Sequence, residues 1–166
     1  MDDTAQQRLK QLESFVTQRQ DWLFRFAYMR IGIREDAEDI IQEVFISLFR
    51  MIKSGKGIKD IDHYILRSIS NACTDYHRRH GVTMLSIEEA ENIPVTETDK
   101  PMHEEFIRIN RLLNALPPEQ SETVRLKCYD GLTFRQIADL QEISESTVKS
   151  RYRYAIKHIQ EQLKKP

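Results

Sequence analysis

Residues 133–158 read TFRQIADLQEISESTVKSRYRYAIKH, and this stretch decides the fold of the C-terminal part of the chain. Thr133 and Gln136 are spaced as a capping box, which predicts the start of a short helix that ends near Leu140. Ser144 is a favourable N-cap residue for a second, longer helix. Two helices that are joined by such a tight turn form a helix-turn-helix.

The second helix of this pair is rich in hydroxyl groups at its start and in Lys and Arg along its length. Such a helix suits contacts with phosphates and base edges in the major groove of DNA. A basic face that is merely exposed to water is the alternative, but the preceding short helix and the two caps favour DNA binding. The candidate DNA-binding residues are Arg135, Ser146, Thr147, Lys149, Ser150, Arg151, Arg153 and Lys157.

Three further helices are predicted in the N-terminal half, over about residues 8–30, 36–52 and 60–80. In each of them apolar residues recur at three- and four-residue steps. Residues 31–33 and the glycine-containing stretch 53–57 interrupt this pattern and predict connections. Three helices that each carry one apolar face can form a small bundle.

The formal net charge of the 166 residues is −1, so bulk charge does not indicate a nucleic-acid binder. The charge is nevertheless uneven along the chain. Residues 81–105 contain seven acids and one base, whereas residues 106–166 contain eleven bases and seven acids. This asymmetry indicates that one part of the chain alone contacts nucleic acid.

Residues 81–103 have no sustained periodicity, and we expect a flexible acidic linker with a short helix around Ile87–Glu91. The predicted fold class is therefore all-α, with two helical modules on either side of this linker. The N-terminal module covers residues 8–80 and the C-terminal module covers residues 104–166.

Two cysteines, Cys73 and Cys128, lie far apart, so we expect reduced and buried thiols in a cytoplasmic protein. No signal peptide is visible at the N-terminus. No apolar run approaches the ~20 residues that span a bilayer, and we expect no membrane insertion.

We expect no enzyme activity, no cofactor and no metal, because no catalytic or nucleotide-binding motif is found. The spacing of Cys73, His77 and His80 would allow a zinc site. The end of that helix is better interpreted as a surface that faces DNA.

The C-terminal stretch resembles the DNA-binding domain of extracytoplasmic-function (ECF) sigma factors, which are group 4 of the sigma-70 family of RNA polymerase sigma factors. The matching elements are Leu113, Leu116-Pro117, Val124, Gly131-Leu132-Thr133, Ile137-Ala138, Ile143-Ser144 and Thr147–Arg151. This resemblance implies that the second helix binds the promoter −35 element. Glu142 departs from the family, which commonly has glycine in this turn, and a Cβ in a left-handed turn costs about 1 kcal/mol.

Residues 36–50, DAEDIIQEVFISLFR, resemble the sigma segment that grips the clamp helices of the polymerase β′ subunit. On periodicity alone, this segment is also an ordinary amphipathic helix with acids at its start. The residues that the resemblance assigns to polymerase binding are Asp36, Asp39, Gln42, Glu43 and Phe45.

Residues 64–80, YILRSISNACTDYHRRH, resemble the sigma segment that opens and reads the −10 element, with Tyr64 where a tryptophan is usual. The preceding loop is implied to help form a pocket for a flipped base. The residues assigned to the −10 element by this resemblance are Lys53, Lys56, Tyr64, Arg67, Asn71, Asp75, Arg78 and Arg79.

The resemblance covers about residues 20–80 and 104–163. It implies a sigma factor that directs core RNA polymerase to specific promoters and helps to melt the −10 element. The implied partners are core RNA polymerase, through its β′ clamp helices and β flap, promoter DNA and an anti-sigma protein. The acidic linker is implied to thread the channels of the polymerase.

Three alternatives remain open at the level of sequence. A stand-alone helix-turn-helix transcriptional regulator shares the C-terminal module but gives no reason for the segment DAEDIIQEVF. A zinc-dependent enzyme is distinguished by metal analysis. A degenerate sigma factor that acts only as an interaction protein is distinguished by promoter-dependent transcription.

Overall fold

The computed structural model describes residues 3–79 and 87–165, with side chains from residue 89 onward in the second stretch. Every regular element within these residues is a helix. The chain divides into two compact units, Met1–Ser86 and Ile87–Pro166. The all-α fold class that the sequence predicts is therefore confirmed.

The N-terminal unit contains helices α1 (Asp3–Ile31), α2 (Arg34–Lys53) and α3 (Ile61–Arg79). Each of these helices packs against the other two. They agree with the three predicted helices, except that α1 begins earlier than residue 8. His80, which was predicted to end the third helix, lies outside the described residues.

The core of this unit is formed by one buried stripe from each helix. Full burial of an aliphatic side chain contributes about 1.5–3 kcal/mol, so these stripes supply most of the packing energy. The buried residues include Leu23, Phe26, Ala27 and Met29 from α1, Ile40, Val44, Leu48 and Ile52 from α2, and Ile65, Ile69 and Cys73 from α3.

Gly32 makes the corner between α1 and α2. Its φ is 80°, a left-handed conformation that glycine adopts without a Cβ clash. Its N–H donates to the carbonyl oxygen of Tyr28 at 2.8 Å, which ends α1. The interruption that was predicted at residues 31–33 is thus a tight corner, and it places the first turn of α2 beside the last turn of α1.

The C-terminal unit is also helical. Its elements are α4 (Ile87–Glu91), α5 (Lys100–Leu113), α6 (Pro118–Val124), a π-helical turn (Arg125–Tyr129), α7 (Phe134–Gln141) and α8 (Glu145–Lys164). Leu113, Leu116, Val124, Ala155 and Ile159 form a shared apolar cluster that joins α5, α6 and α8.

Part of the stretch that was predicted to be a flexible linker is folded. Helix α4 forms where a short helix was expected, and α5 begins at Lys100 rather than near residue 104. The buried His103 donates from Nε2 to the carbonyl oxygen of Ala90 at 2.7 Å, and Arg111 pairs with Glu91. These contacts fasten α4 to α5. Residues 81–86 of the predicted linker lie outside the described residues.

The prediction that both cysteines are buried is wrong for Cys128. Cys73 is buried, but Cys128 is exposed, with its Sγ 3.6 Å from the hydroxyl of Tyr152. In a regular α-helix, Cys128 would share the buried face of Val124, four residues earlier. The π-helical turn adds a residue to the turn and carries Cys128 off that face.

The helix-turn-helix has the caps that the sequence predicts. Thr133 Oγ1 accepts from the N–H of Gln136 at 3.1 Å, and Gln136 Oε1 accepts from the N–H of Thr133 at 2.8 Å. Ser144 caps α8 by accepting from the N–H of Thr147 at 3.1 Å. Between the two helices, Glu142 adopts φ 55° and ψ 45°, the left-handed conformation that the family's glycine would take.

The substitution Glu142→Gly should therefore stabilise the C-terminal unit by about 1 kcal/mol, because glycine removes the Cβ strain. Amide hydrogen exchange at the buried Ile137 and Val148 measures this change. Asp139→Gly, inside α7, is the control and should destabilise the unit slightly, by roughly 0.3 kcal/mol, because glycine is a poorer helix former than aspartate. A loss of protection in Glu142→Gly would show that the turn carries no such strain.

Candidate functional site

The outer face of α8 collects five of the predicted DNA-binding residues. At about 100° per residue, these five side chains fall within roughly 100° of the helix circumference. They are Ser146, Lys149, Ser150, Arg153 and Lys157. The opposite side of α8 carries Val148, Ala155 and Ile159, all buried. Burial of this inner stripe therefore turns the hydroxyl and basic groups outward.

The other three predicted DNA-binding residues lie beside the outer face of α8. Thr147 and Arg151 are half-buried on the flank of α8, and Arg135 is exposed on α7. Lys149 forms an ion pair with Glu145 across 3.5 Å, which partly offsets its charge near the helix start. Phe134 of α7 packs edge-on against Tyr152 of α8, with the ring centroids 5.3 Å apart, and this contact fixes α7 beside α8.

One face of α3 likewise brings together five of the residues assigned to the −10 element. These are Tyr64, Arg67, Asn71, Asp75 and Arg78, which fall within roughly 80° of the circumference, with Arg79 beside them. Arg78 contacts Asp75 at 3.4 Å, and the Tyr64 hydroxyl lies 3.0 Å from Met51 Sδ in α2. The face is thus mixed in charge and carries one aromatic ring.

The other two residues assigned to the −10 element are lysines that do not lie on this face of α3. Lys56 is exposed in the loop after α2. Lys53 ends α2, and its Nζ lies 5.3 Å from the centre of the Phe49 ring. Lys53 therefore borders a groove between α1 and α2, rather than the outer face of α3.

The outer face of α2 changes character along its length. Asp39, Gln42 and Glu43 are exposed in its first half. The same face continues with two large apolar side chains, Ile46 and Phe49, which are 50% and 45% exposed. Phe49 is one of the apolar residues whose spacing predicts this helix. It stays exposed because apolar residues cover more of α2 than the neighbouring helices bury.

An apolar groove of about 780 Å³ opens beside these side chains, between α1 and α2. Phe45, the fifth residue assigned to polymerase binding, lines it. The other lining residues are Leu12, Glu13, Val16, Thr17, Ile46, Phe49, Arg50, Lys53 and Ser54. The groove thus extends the acidic face of α2 with an apolar surface and a basic rim.

Asp36 differs from the other four residues assigned to polymerase binding. Its Oδ2 accepts a hydrogen bond of 2.5 Å from the hydroxyl of Tyr76 in α3. Burial and this hydrogen bond raise the pKa of the Tyr76 phenol well above its usual range. Sequence reasoning did not select Tyr76, although it continues the buried spacing of Ile65, Ile69 and Cys73.

The possible zinc ligands are not gathered into a cluster by the described residues. Cys73 is buried in the core, and His77 donates from Nε2 to the carbonyl oxygen of Arg30 at 2.7 Å. His80 lies outside the described residues. Residues 3–79 and 87–165 contain no group of three or more His, Cys, Asp or Glu side chains that could hold a metal ion. No helix in these ranges is long and apolar enough to cross a membrane.

A helix-turn-helix together with a separate three-helix unit is an architecture of helical DNA-binding proteins. The family described as "Sigma-70 region 2" matches residues 15–83, and "Sigma-70, region 4" matches residues 106–159. The chain belongs to the sigma-70 family of RNA polymerase sigma factors.

Similar proteins are named as RNA polymerase sigma factors, and some of them as ECF sigma factors. The "ECF RNA polymerase sigma factor SigE" of Mycolicibacterium smegmatis is 30% identical over 84% of this chain, which spans 56% of the length of that relative. The "RNA polymerase sigma-E factor" of Streptomyces coelicolor is 24% identical over 92% of this chain and 86% of its own length.

A solved structure has a similar fold. It is the sigma factor RpoE of Bartonella quintana, crystallised with the anti-sigma factor NepR. The TM-score is 0.64, with 17% sequence identity over 93% of this chain and 98% of that one.

Arg153 lies near the middle of the outer face of α8 and tests whether that face contacts DNA. Arg153→Ala should weaken binding to a duplex oligonucleotide about tenfold at low salt and reduce the slope of log affinity against log salt by about one. Fluorescence anisotropy over a series of salt concentrations measures both. Arg108→Ala, an exposed arginine on α5, is the charge-matched control. Equal losses in the two variants would indicate a diffuse electrostatic effect.

Proposed function

We propose that this chain is an ECF sigma factor that directs core RNA polymerase to specific promoters and helps to melt their −10 element. One observation supports the proposal most strongly. This chain of the sigma-70 family has both an exposed acidic face on α2 and a basic helix-turn-helix. The protein would act by binding alone, without catalysing a reaction, in the cytoplasm. A stand-alone regulator would have no use for the first of these two surfaces.

Binding of the −35 element is proposed for the outer face of α8. Ser144 caps this helix by accepting from the N–H of Thr147. The other N–H groups of the first turn and the Ser146 hydroxyl are proposed to meet phosphates and base edges. Lys149, Arg153 and Lys157 supply positive charge along the same face, and Arg151 stands at its edge.

Contact with the melted −10 strand is proposed for the outer face of α3. Single-stranded DNA is bound by basic groups that follow the backbone and by aromatic rings on which bases stack. The basic groups are those of Arg67, Arg78 and Arg79. The aromatic ring is that of Tyr64. Asn71 and Asp75 stand between them and can hydrogen-bond to base edges.

Binding of core RNA polymerase is proposed for the outer face of α2, in contact with the β′ clamp helices. Asp39, Gln42 and Glu43 form its polar part. The exposed Ile46 and Phe49 continue this face into the groove that Phe45 lines, so apolar burial can add to the charged contacts. The C-terminal unit would meet the β flap.

An anti-sigma protein is proposed as the inhibitory partner. The support is the solved sigma factor of Bartonella quintana, which was crystallised with such a protein. The acidic stretch 81–103 is proposed to enter the polymerase channels, where its negative charge would face a basic surface. Because residues 81–86 carry no acidic side chain, this role would require α4 to leave α5.

The proposed function predicts promoter-dependent transcription. Purified core polymerase should produce specific transcripts from a pool of genomic promoter fragments only when this protein is added. The 5′ ends of those transcripts would define the −10 and −35 elements. If no transcript appears although the protein binds DNA, a stand-alone regulator would replace the sigma-factor proposal.

Two substitutions should separate the proposed surfaces. Asp39→Ala should weaken association with core polymerase about tenfold, because it removes an exposed carboxylate from α2, and leave binding to −35 duplex DNA unchanged. Arg151→Ala should weaken −35 binding, lower its salt dependence and leave core association unchanged. Unchanged binding in both variants would refute both assignments.

A further inference from the structure

The last turns of α3 are tied to the corner between α1 and α2 by two polar side chains. The Tyr76 hydroxyl donates to Asp36 Oδ2 at 2.5 Å, and His77 Nε2 donates to the carbonyl oxygen of Arg30 at 2.7 Å. These bonds join residues that are 40 and 47 positions apart in the chain. They fix the end of α3 at one place on the bundle.

The same part of α3 also bears, on its outer face, residues that we propose to contact the melted DNA strand. Asn71, Asp75 and Arg78 lie on the outer face, while Tyr76 and His77 point to the bundle. On the other side of the hydrogen bond, Asp36 stands in the first turn of α2, about one turn before the exposed Asp39. At its C-terminal end, the helix proposed to hold DNA is thus hydrogen-bonded to the helix proposed to hold polymerase. The contact between the Tyr64 hydroxyl and Met51 Sδ joins the same two helices near the start of α3.

A hydrogen bond between a phenol and a carboxylate is well suited to hold such an angle. It is charge-assisted and therefore stronger and more directional than a contact between apolar side chains. A phenol of ordinary pKa is already protonated at physiological pH, so Tyr76 can donate there. Burial and the hydrogen bond to Asp36 raise the pKa of the Tyr76 phenol further.

We propose that Tyr76 is a positioning residue for promoter opening, which acts by holding α3 at a fixed angle to α2 through Asp36. Asp36 then serves this hydrogen bond rather than a direct contact with polymerase. The inference rests on the proposed function, because it requires that α2 binds polymerase and α3 binds the melted strand. It adds that the hydrogen bond between Tyr76 and Asp36 couples the two activities.

The test is Tyr76→Phe in the full chain, which removes only the hydroxyl. Transcription is measured with core polymerase on a duplex promoter and on the same promoter with a mismatched, pre-opened −10 region. We expect a loss of about tenfold on the duplex, no more than twofold on the pre-opened promoter, and a dissociation constant for core polymerase within twofold of the wild type.

Tyr129→Phe is the matched control, because its hydroxyl also faces a carboxylate, Glu105, but in the C-terminal unit. Tyr129→Phe should leave unchanged the ratio of transcription from the duplex promoter to transcription from the pre-opened promoter. Asp36→Ala should reproduce the effect of Tyr76→Phe, because it removes the acceptor of the same hydrogen bond. The double variant should be no worse than the worse single one, because each of these variants breaks that bond.

Equal losses on the two promoters, or a loss of core affinity as large as the loss of transcription, would mean that Tyr76 only stabilises the bundle and would overturn the proposal. Full activity of Tyr76→Phe would overturn it as well. A wild-type protein that transcribes neither promoter would overturn the proposed function itself, so the two failures are distinguishable.

Discussion

Every surface of this protein depends on one constraint, which is that each helix must bury its single apolar stripe. Burial of Val148, Ala155 and Ile159 leaves the basic side of α8 outside. Burial of Ile65 and Ile69 leaves the side of α3 that carries both basic and acidic groups outside. A shift of the buried stripe by one residue would turn every side chain by about 100° around the helix axis. Such a turn would move part of the outer face into the core. The candidate interfaces are thus consequences of how the two cores pack.

Apolar burial sets which side of a helix faces inward but resists sliding and tilting only weakly, because it has little directional preference. Hydrogen bonds between distant residues remove this freedom. Tyr76 and His77 do so for the end of α3, and His103 does so for α4 by reaching the carbonyl oxygen of Ala90. In both units a polar side chain at the border of the core fixes an element that carries charge.

The turn of the helix-turn-helix shows how a local cost is tolerated. Glu142 has a Cβ in a left-handed conformation, yet its N–H and that of Ile143 both donate to the carbonyl oxygen of Ala138. The helices on either side are held by the caps at Thr133 and Ser144. The surrounding hydrogen bonds therefore determine the conformation of the turn, and the side chain at position 142 adapts to it.

The helices, the caps at Thr133 and Ser144 and the interruption at residues 31–33 could be predicted from the sequence, because they depend on interactions within about four residues of the chain. Helical periodicity also placed the basic and acidic faces. The structure was needed to find that Asp36 is held by Tyr76, that Phe49 and Cys128 are exposed and that α4 packs on α5. These features depend on which stripe of a helix meets a neighbour that lies far away in sequence, and no local pattern encodes that choice.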